Sequence, residues 1–128
     1  MSTKVTSGIK IIVETFFQPG QSNYAQSLYT FAYRITIENS GTEAVQLKRR
    51  HWYITDSIGP KSEVEGEGVI GEQPVIEPGK SYKYVSGCSL NSEMGKMHGS
   101  YLMERQSDGK LFEVKIPEFN MIVPYKLN

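Results

Sequence analysis

The clearest pattern in the chain is a strict alternation of apolar and polar residues between positions 29 and 38. Its odd positions are aromatic or β-branched: Tyr29, Phe31, Tyr33, Ile35 and Ile37. Because successive side chains of a strand point to opposite faces, this alternation predicts a β-strand with one buried and one exposed face. Residues 9–17 form an earlier apolar run that predicts another strand, which ends before Pro19-Gly20.

The alternation changes phase along a third predicted strand. Val45 and Leu47 carry the apolar character at odd positions, whereas Trp52 and Ile54 carry it at even positions. Since the side chains of a strand alternate with a period of two, one extra residue would reconcile the two halves. We therefore predict a β-bulge or a bend near Arg49-Arg50.

The remaining strands are predicted from apolar residues flanked by turn signals. Residues 61–70 are expected to form a glycine-broken strand or loop, and residues 81–87 another strand. Ser107-Asp108-Gly109 lies between two apolar runs and is the strongest hairpin signal, and Pro117 is expected to end the second of these strands. No stretch of ten or more residues has a clean helical period, and the nearest candidate is one short turn around residues 92–97.

These segments amount to about seven short strands, separated by turn signals every dozen or so residues. This organisation predicts an all-β fold, an immunoglobulin-like antiparallel β-sandwich, with a small barrel as the alternative. The chain has 128 residues, of which 38% are hydrophobic, and its glycines and prolines are spread along its length. A single domain over residues 1–128 with one core is therefore expected.

Charge and cysteine content limit the classes of partner and the compartment. The 14 Lys and Arg residues are balanced by 14 Asp and Glu residues, so neither nucleic acid nor an anionic membrane surface is an expected partner. Cys88 is the only cysteine, and the first eight residues lack the apolar core of a signal peptide. No apolar run reaches the roughly 20 residues that span a bilayer. A cytoplasmic protein without membrane insertion is expected.

Residues 66–71 have the sequence Gly-Glu-Gly-Val-Ile-Gly, which matches the glycine pattern of dinucleotide-binding loops. Such a site needs a buried strand before the loop and a helix after it, and the charged residues before Gly66 and Pro74 after Gly71 favour neither. Four nearby glutamates would also repel a phosphate: Glu63, Glu65, Glu67 and Glu72. A glycine-rich strand and turn is the main interpretation. Phosphate binding by the backbone N–H groups of Gly66, Gly68 and Gly71 is the alternative.

Arg49, Arg50 and His51 are candidates for an interaction surface, because arginine and the adjacent Trp52 are residue types enriched in interface hot spots. The alternative is structural, with Trp52 as the large aromatic of the core and the two arginines on a solvated strand edge.

Metal binding and catalysis find little support in the sequence. His51, His98 and Cys88 are the only imidazole and thiol groups, and their spacing resembles no zinc or cobalt site. No acidic or basic residue is adjacent to Cys88 to activate it, so this thiol is expected to be a small buried hydrophobe. We therefore predict no catalytic residue, no metal site and no cofactor.

Several longer segments together carry a resemblance to a known family. They are residues 31–39 (FAYRITIEN), 45–56 (VQLKRRHWYITD), 64–74 (VEGEGVIGEQP), 78–79 (PG), 82–87 (YKYVSG), 95–103 (GKMHGSYLM) and 116–119 (IPEF). As a set they are similar to the ApaG family over nearly the whole chain. The resemblance implies a fibronectin type III-like sandwich of two antiparallel sheets.

The resemblance also implies a functional class. Bacterial ApaG proteins are small, stand-alone and cytoplasmic, and are linked by name to cobalt resistance and magnesium efflux. Similar eukaryotic domains are appended to F-box proteins and to a polymerase-interacting protein, where protein binding is the presumed role. The family has no established catalytic residues, and a pyrophosphate-binding proposal attaches to the glycines that match Gly66, Gly68 and Gly71.

The leading hypothesis from the sequence is a non-catalytic binding module for an unidentified protein partner, with an indirect link to Co²⁺ resistance or Mg²⁺ efflux. The alternative is binding of pyrophosphate or a nucleotide phosphate through residues 66–71. A homodimer formed through strand edges is a further expectation.

Overall fold

The computed structural model describes residues 1–59 and 61–127 as two antiparallel sheets packed face to face. Its strands are β1 (Ser2–Thr6), β2 (Ile9–Phe17), β3 (Tyr29–Asn39), β4 (Val45–Asp56), β5 (Lys61–Glu67), β6 (Val75–Ile76), β7 (Ser81–Leu90), β8 (Met94–Arg105) and β9 (Leu111–Ile122). Short 3₁₀ turns cover Pro19–Gln21, Tyr24–Gln26 and Pro124–Leu127. The predicted antiparallel β-sandwich is confirmed. No helix in the described part of the chain has the length and apolar content needed to cross a membrane.

The first sheet has the strand order β1-β2-β3-β7, and the second has the order β5-β4-β8-β9, with β6 also paired to the start of β4. Strands β1 and β6 are additional to the seven predicted from the sequence. β1 is a polar segment that pairs along its whole length with β2, and β6 has only two residues, so neither carries the apolar alternation that predicts a strand.

The core fills the space between the sheets. Its fully buried side chains come from both inner faces and include Ile11, Phe31, Ile35, Ile37, Leu47, Met97, Tyr101, Met103, Val114 and Met121. Trp52 is 3% exposed, and its ring contacts those of Tyr33 and Phe119 at centroid distances of 5.4 and 5.9 Å. The interpretation of Trp52 as the large core aromatic is therefore confirmed.

A β-bulge in β4 sets which residues face outward. Leu47 pairs with Met103 and Arg49 pairs with Leu102, so Lys48 is the extra residue. The predicted bulge is confirmed, one residue before Arg49. After the bulge, even-numbered residues such as Trp52 face the core, and Arg49, His51 and Tyr53 face outward.

Two features beyond residue 91 differ from what the sequence indicates. The strand containing Pro117 continues to Ile122, because Pro117 lies where the β8–β9 register shifts, between the pairs Gly99–Ile116 and Met97–Phe119. An edge strand tolerates a proline at such a bulge. Residues 92–97 form no helical turn, since β8 starts at Met94 and pairs with β4. The hairpin at residues 107–109 is confirmed, and Gly109 has a positive φ of 72°.

Asp56, at the end of β4, fastens two turns to the sandwich. Its carboxylate accepts hydrogen bonds from the Asn91 amide at 2.6 Å, from the Ser92 hydroxyl, and from the Ile58 amide at 3.4 Å. Burial raises the pKa of this carboxyl, but the hydrogen bonds from Ser92, Asn91 and Ile58 outweigh burial, so the net pKa is lowered. The lowered pKa means that these hydrogen bonds stabilise the charged carboxylate in the folded protein.

The substitution Asp56→Asn is expected to lower the free energy of unfolding by about 2 kcal/mol at pH 7, because an amide accepts these hydrogen bonds less strongly than a carboxylate. A folded pKa below the unfolded value of about 3.9 contributes stability above that pH and loses it as the pH falls through the folded pKa. The difference between wild type and variant should therefore shrink below about pH 4. Urea unfolding at pH 7 and pH 3 measures it, and an unchanged difference would contradict the account.

Candidate functional site

Three aromatic rings lie in a row on the outer face of the second sheet. His51 and Tyr53 are two residues apart on β4, and His98 is directly opposite Tyr53 on β8. The Tyr53 ring stacks on His51 at a centroid distance of 4.5 Å and on His98 at 5.0 Å, with interplanar angles of 22° and 15°. We call His51, Tyr53 and His98 the ring row. Because Tyr53 is 38% exposed, the row is open to solvent while its rings hold one another in place.

Two glutamates of β5 flank the imidazole at one end of the ring row. Glu65 is directly opposite His51, and Glu63 is opposite Tyr53, so both carboxylates reach the same imidazole. His51 Nδ1 lies 2.9 Å from Glu65 Oε1, and His51 Nε2 lies 2.8 Å from Glu63 Oε2. The His51 imidazole therefore lies between two carboxylates, with a different one at each ring nitrogen.

An open groove of about 630 Å³ runs beside the ring row toward β9. Its other wall carries charges of both signs, which come from Lys4, Glu113, Lys115 and Glu118. Lys115 Nζ lies 2.6 Å from Glu113 Oε1, so part of this wall is already neutralised. The groove is polar along one side and aromatic along the other.

The predicted interaction surface of Arg49, Arg50 and His51 divides between the two faces of β4. Arg49 and His51 face outward, and Arg49 Nη1 lies 4.0 Å from a carboxylate oxygen of Glu67. Arg50 lies on the core side with Trp52, and its Nη1 donates to the carbonyls of Glu67 and Gly68 at 2.9 and 3.0 Å. Arg50 therefore lies on the opposite face of β4 from Arg49 and His51, because the bulge gives it the same phase as Trp52. An interaction role for Arg49, Arg50 and His51 stays a prediction.

The glycine segment 66–71 supports β4. Gly66 pairs with Arg50 across the strands. A Cβ at Gly66 would lie 2.9 Å from the guanidinium nitrogens, so the absence of a side chain at Gly66 leaves room for the arginine. Gly68 has a φ of 61°, and its amide donates to the Lys48 carbonyl at 2.9 Å. The chain here is a strand followed by a turn, as the main interpretation of the sequence expected.

The turn that follows uses further backbone amides internally. Val69 and Glu72 exchange amide-to-carbonyl hydrogen bonds of 2.8 and 2.9 Å. Ile70 and Gly71 lie between them with φ of 45° and 76°, as at the central positions of a type I′ turn. A phosphate at the predicted site would therefore have to be held mainly by the amides of Ile70 and Gly71.

Comparison with known proteins assigns the chain to a family. The family described as ApaG domain matches residues 19–105, and the chain is 48% identical over 124 residues to the Protein ApaG of Brucella anthropi. That alignment covers 97% of this chain and 95% of the relative. The chain belongs to the ApaG domain family.

Solved structures share the ApaG fold over almost their full length. A protein from Bordetella pertussis described as ApaA is 40% identical, with a TM-score of 0.87 over 91% of this chain and 94% of the other. An X-ray structure of a structural genomics target is 38% identical, with a TM-score of 0.89 over 98% and 94% of the two chains. The resemblance inferred from the sequence is confirmed.

The buried ionisable groups of this ApaG domain have structural surroundings. Burial raises the pKa of the Cys88 thiol to about 11, with a smaller contribution from the Asp56 charge, so the thiol is protonated at neutral pH. The hydroxyls of Tyr84 and Tyr101 are hydrogen-bonded to each other at 2.5 Å in the core, and burial raises the pKa of both. The Tyr84–Tyr101 hydrogen bond joins β7 of the first sheet to β8 of the second.

Reasoning from the sequence missed Glu63, Glu65 and His98 as members of this ApaG surface. The available signal was spacing: Glu63 and Glu65 are two residues apart, as are His51 and Tyr53, so each pair shares one strand face. The two pairs, and His98, are brought together by the register of β4 with β5 and β8. That register cannot be read from a single sequence.

Proposed function

We propose that this ApaG domain is a non-catalytic, cytoplasmic binding module that recognises another protein through the outer face of the second sheet. The observation that carries the proposal is the ring row, an exposed tyrosine stacked between two imidazoles and bordered by Arg49. Arginine and tyrosine are residue types that often dominate the binding energy of protein interfaces.

Preorganisation supports this choice of surface. Binding normally costs about 0.5–1.5 kcal/mol for each flexible side chain that becomes fixed. Tyr53 is already held between His51 and His98, and His51 is held by two carboxylates, so little of that cost remains at these positions. The strands under the row are paired on both sides, which makes the surface rigid.

The charges around the row favour a partner with mixed polarity. Arg49 is exposed and only loosely paired with Glu67, so its guanidinium is available to a partner's carboxylate. Beside it, the flat face of Tyr53 suits an apolar or aromatic side chain. Lys115 and Glu118 line the groove beside the ring row, where they would form part of the polar rim of an interface.

The reactive groups favour binding over catalysis. The Cys88 thiol is protonated at neutral pH, and Asp56 is engaged by the two turns that it fastens. A cytoplasmic location agrees with an unpaired cysteine, since thiols persist in reducing compartments. The link to Co²⁺ resistance or Mg²⁺ efflux and the homodimer through strand edges remain expectations.

Pyrophosphate binding at Gly66, Gly68 and Gly71 stays a prediction. The amides of Gly68 and Val69 already donate to carbonyls of the chain, and Glu63 and Glu65 place negative charge on the adjoining strand. Titration of the labelled protein with pyrophosphate tests it, because a genuine site must shift the amide resonances of Ile70 and Gly71 saturably.

Site-specific photocrosslinking tests the protein-binding proposal. A photoreactive phenylalanine derivative replaces Tyr53 in one version of the protein and Val85 in another, and both versions are irradiated in cells. Val85 is a matched control because it is an exposed strand residue, 54% accessible, on the outer face of the first sheet. The proposal expects one dominant adduct from position 53 that is absent from position 85.

A second substitution makes the crosslinking result specific. Arg49→Glu reverses the charge beside the ring row and leaves the core untouched, so it should remove the adduct from position 53. If position 85 gives the same adduct as position 53, or if Arg49→Glu leaves the adduct unchanged, the surface proposed here is wrong.

A further inference from the structure

We propose that His51, Glu63 and Glu65 form a binding site for a divalent transition-metal ion on the outer face of the second sheet. The candidate ligand atoms of the three residues, one from each side chain, lie within 4.8 Å of one another. Ligand atoms that bind one ion at about 2.0–2.2 Å lie at most about 4.4 Å apart, so a small side-chain movement would let one ion contact all three residues. Water would complete the coordination on the open side.

The register of β4 and β5 fixes the ligands. Glu65 is the cross-strand partner of His51, and Glu63 is two residues before it on the same face of β5. Directly opposite residues of an antiparallel pair have Cβ atoms about 4.5–5.5 Å apart. The three side chains therefore converge because of backbone hydrogen bonds, not because of a chance encounter of mobile surface groups.

The imidazole is held in a fixed plane by contacts that do not involve the glutamates. Its ring stacks on Tyr53 at 4.5 Å, and Tyr53 is held in turn by His98. The His51 side chain is 25% exposed and is the most buried of the three ligands, since Glu63 and Glu65 are 56% and 58% exposed. The two carboxylates lie at different ring nitrogens, so one glutamate side chain would have to rotate for both to reach an ion bound at one nitrogen.

Charge explains why a cation would bind. The two carboxylates contribute two negative charges, and both lie within 3 Å of the His51 imidazole. The neighbouring Arg49 is directed to Glu67. A divalent ion bound to the imidazole would neutralise both carboxylates.

The donor set selects the class of ion. One imidazole nitrogen with two carboxylate oxygens suits borderline ions such as Zn²⁺, whereas Mg²⁺ and Ca²⁺ prefer oxygen ligands alone. Binding of a metal is independent of whether a protein partner exists, so this inference goes beyond the proposed function and stands or falls separately from it.

Calorimetric titration of the full chain with Zn²⁺ alone tests the inference. Wild type should bind one ion saturably, His51→Ala should abolish that binding, and Glu65→Gln should weaken it at least tenfold. Glu65→Gln preserves the size of the side chain on an exposed strand, so it separates loss of the ligand from loss of the fold. A tenfold excess of Mg²⁺ over Zn²⁺ should not displace the bound ion.

Glu113→Gln is a matched control for adventitious binding at surface carboxylates, because it removes a carboxylate from β9 on the other wall of the groove. This variant should bind Zn²⁺ within threefold of wild type. If Glu113→Gln weakens binding as much as Glu65→Gln, or if Glu65→Gln binds like wild type, the site is not the one proposed. Absence of saturable binding to wild type would also overturn the proposal.

Discussion

Gly68→Ala is expected to lower the free energy of unfolding by about 3 kcal/mol. An added Cβ would lie 2.1 Å from the carbonyl oxygen of Glu72, and the φ of 61° is one that side chains with a Cβ rarely adopt. Left-handed backbone costs roughly 1–2 kcal/mol, and overpacking against fixed backbone adds about 1–3 kcal/mol. Urea unfolding followed by Trp52 fluorescence measures the loss.

Gly71→Ala is the control from the same glycine pattern. Gly71 has a φ of 76°, but a Cβ there would meet no atom within 4 Å, so only the backbone cost of about 1 kcal/mol remains. A structural origin of the pattern predicts this difference between the two variants. Equal losses at both positions would show that contact with Glu72 is not what makes Gly68 necessary.

Gly99→Ala is expected to cost about 3 kcal/mol as well, for a different reason. Gly99 pairs with Trp52 in the middle of the second sheet, and a Cβ would lie 2.1 Å from the His51 carbonyl oxygen and 3.2 Å from the Trp52 Cα. Both atoms are backbone, so β4 and β8 would have to separate. The same urea titration gives the value.

Gly87→Ala is the matched control, because Gly87 is also a strand glycine. Its added Cβ would meet the Phe31 carbonyl oxygen at 3.4 Å, which is an ordinary contact. We expect no loss of stability there, or a gain of up to about 1 kcal/mol, since alanine has less conformational freedom in the unfolded chain. If Gly87→Ala is as damaging as Gly99→Ala, the close approach of β8 to β4 does not explain the effect.

The sequence predicts the architecture well wherever burial imposes a period. The alternation at residues 29–38 marks β3, and the change of phase between Leu47 and Trp52 marks the bulge at Lys48. It fails for β1, whose residues are polar and are ordered by backbone pairing with β2. It also fails at Pro117, because a bulge on an edge strand absorbs a residue that elsewhere would end the strand.

The candidate site depends on relations that a single sequence does not contain. One relation can be read from the sequence: once the bulge is placed before Arg49, Arg50 has the same even phase as Trp52 and lies on the core side. The meeting of His51 with Glu65 depends on the register of β4 and β5, and that register is set by the connection between them. Without that register, the sequence shows Glu63 and Glu65 only as charges near the glycine segment.

The measurement that tests the central claim most directly maps the bound surface without knowledge of the partner. Protein labelled with ¹⁵N is added to unlabelled bacterial lysate, and the broadening of each backbone amide resonance is recorded. We predict broadening concentrated at Arg49–Tyr53 and His98, with residues 66–71 and the outer face of the first sheet much less affected. Broadening that is uniform, or that is centred on residues 66–71 or Val85, would contradict the account.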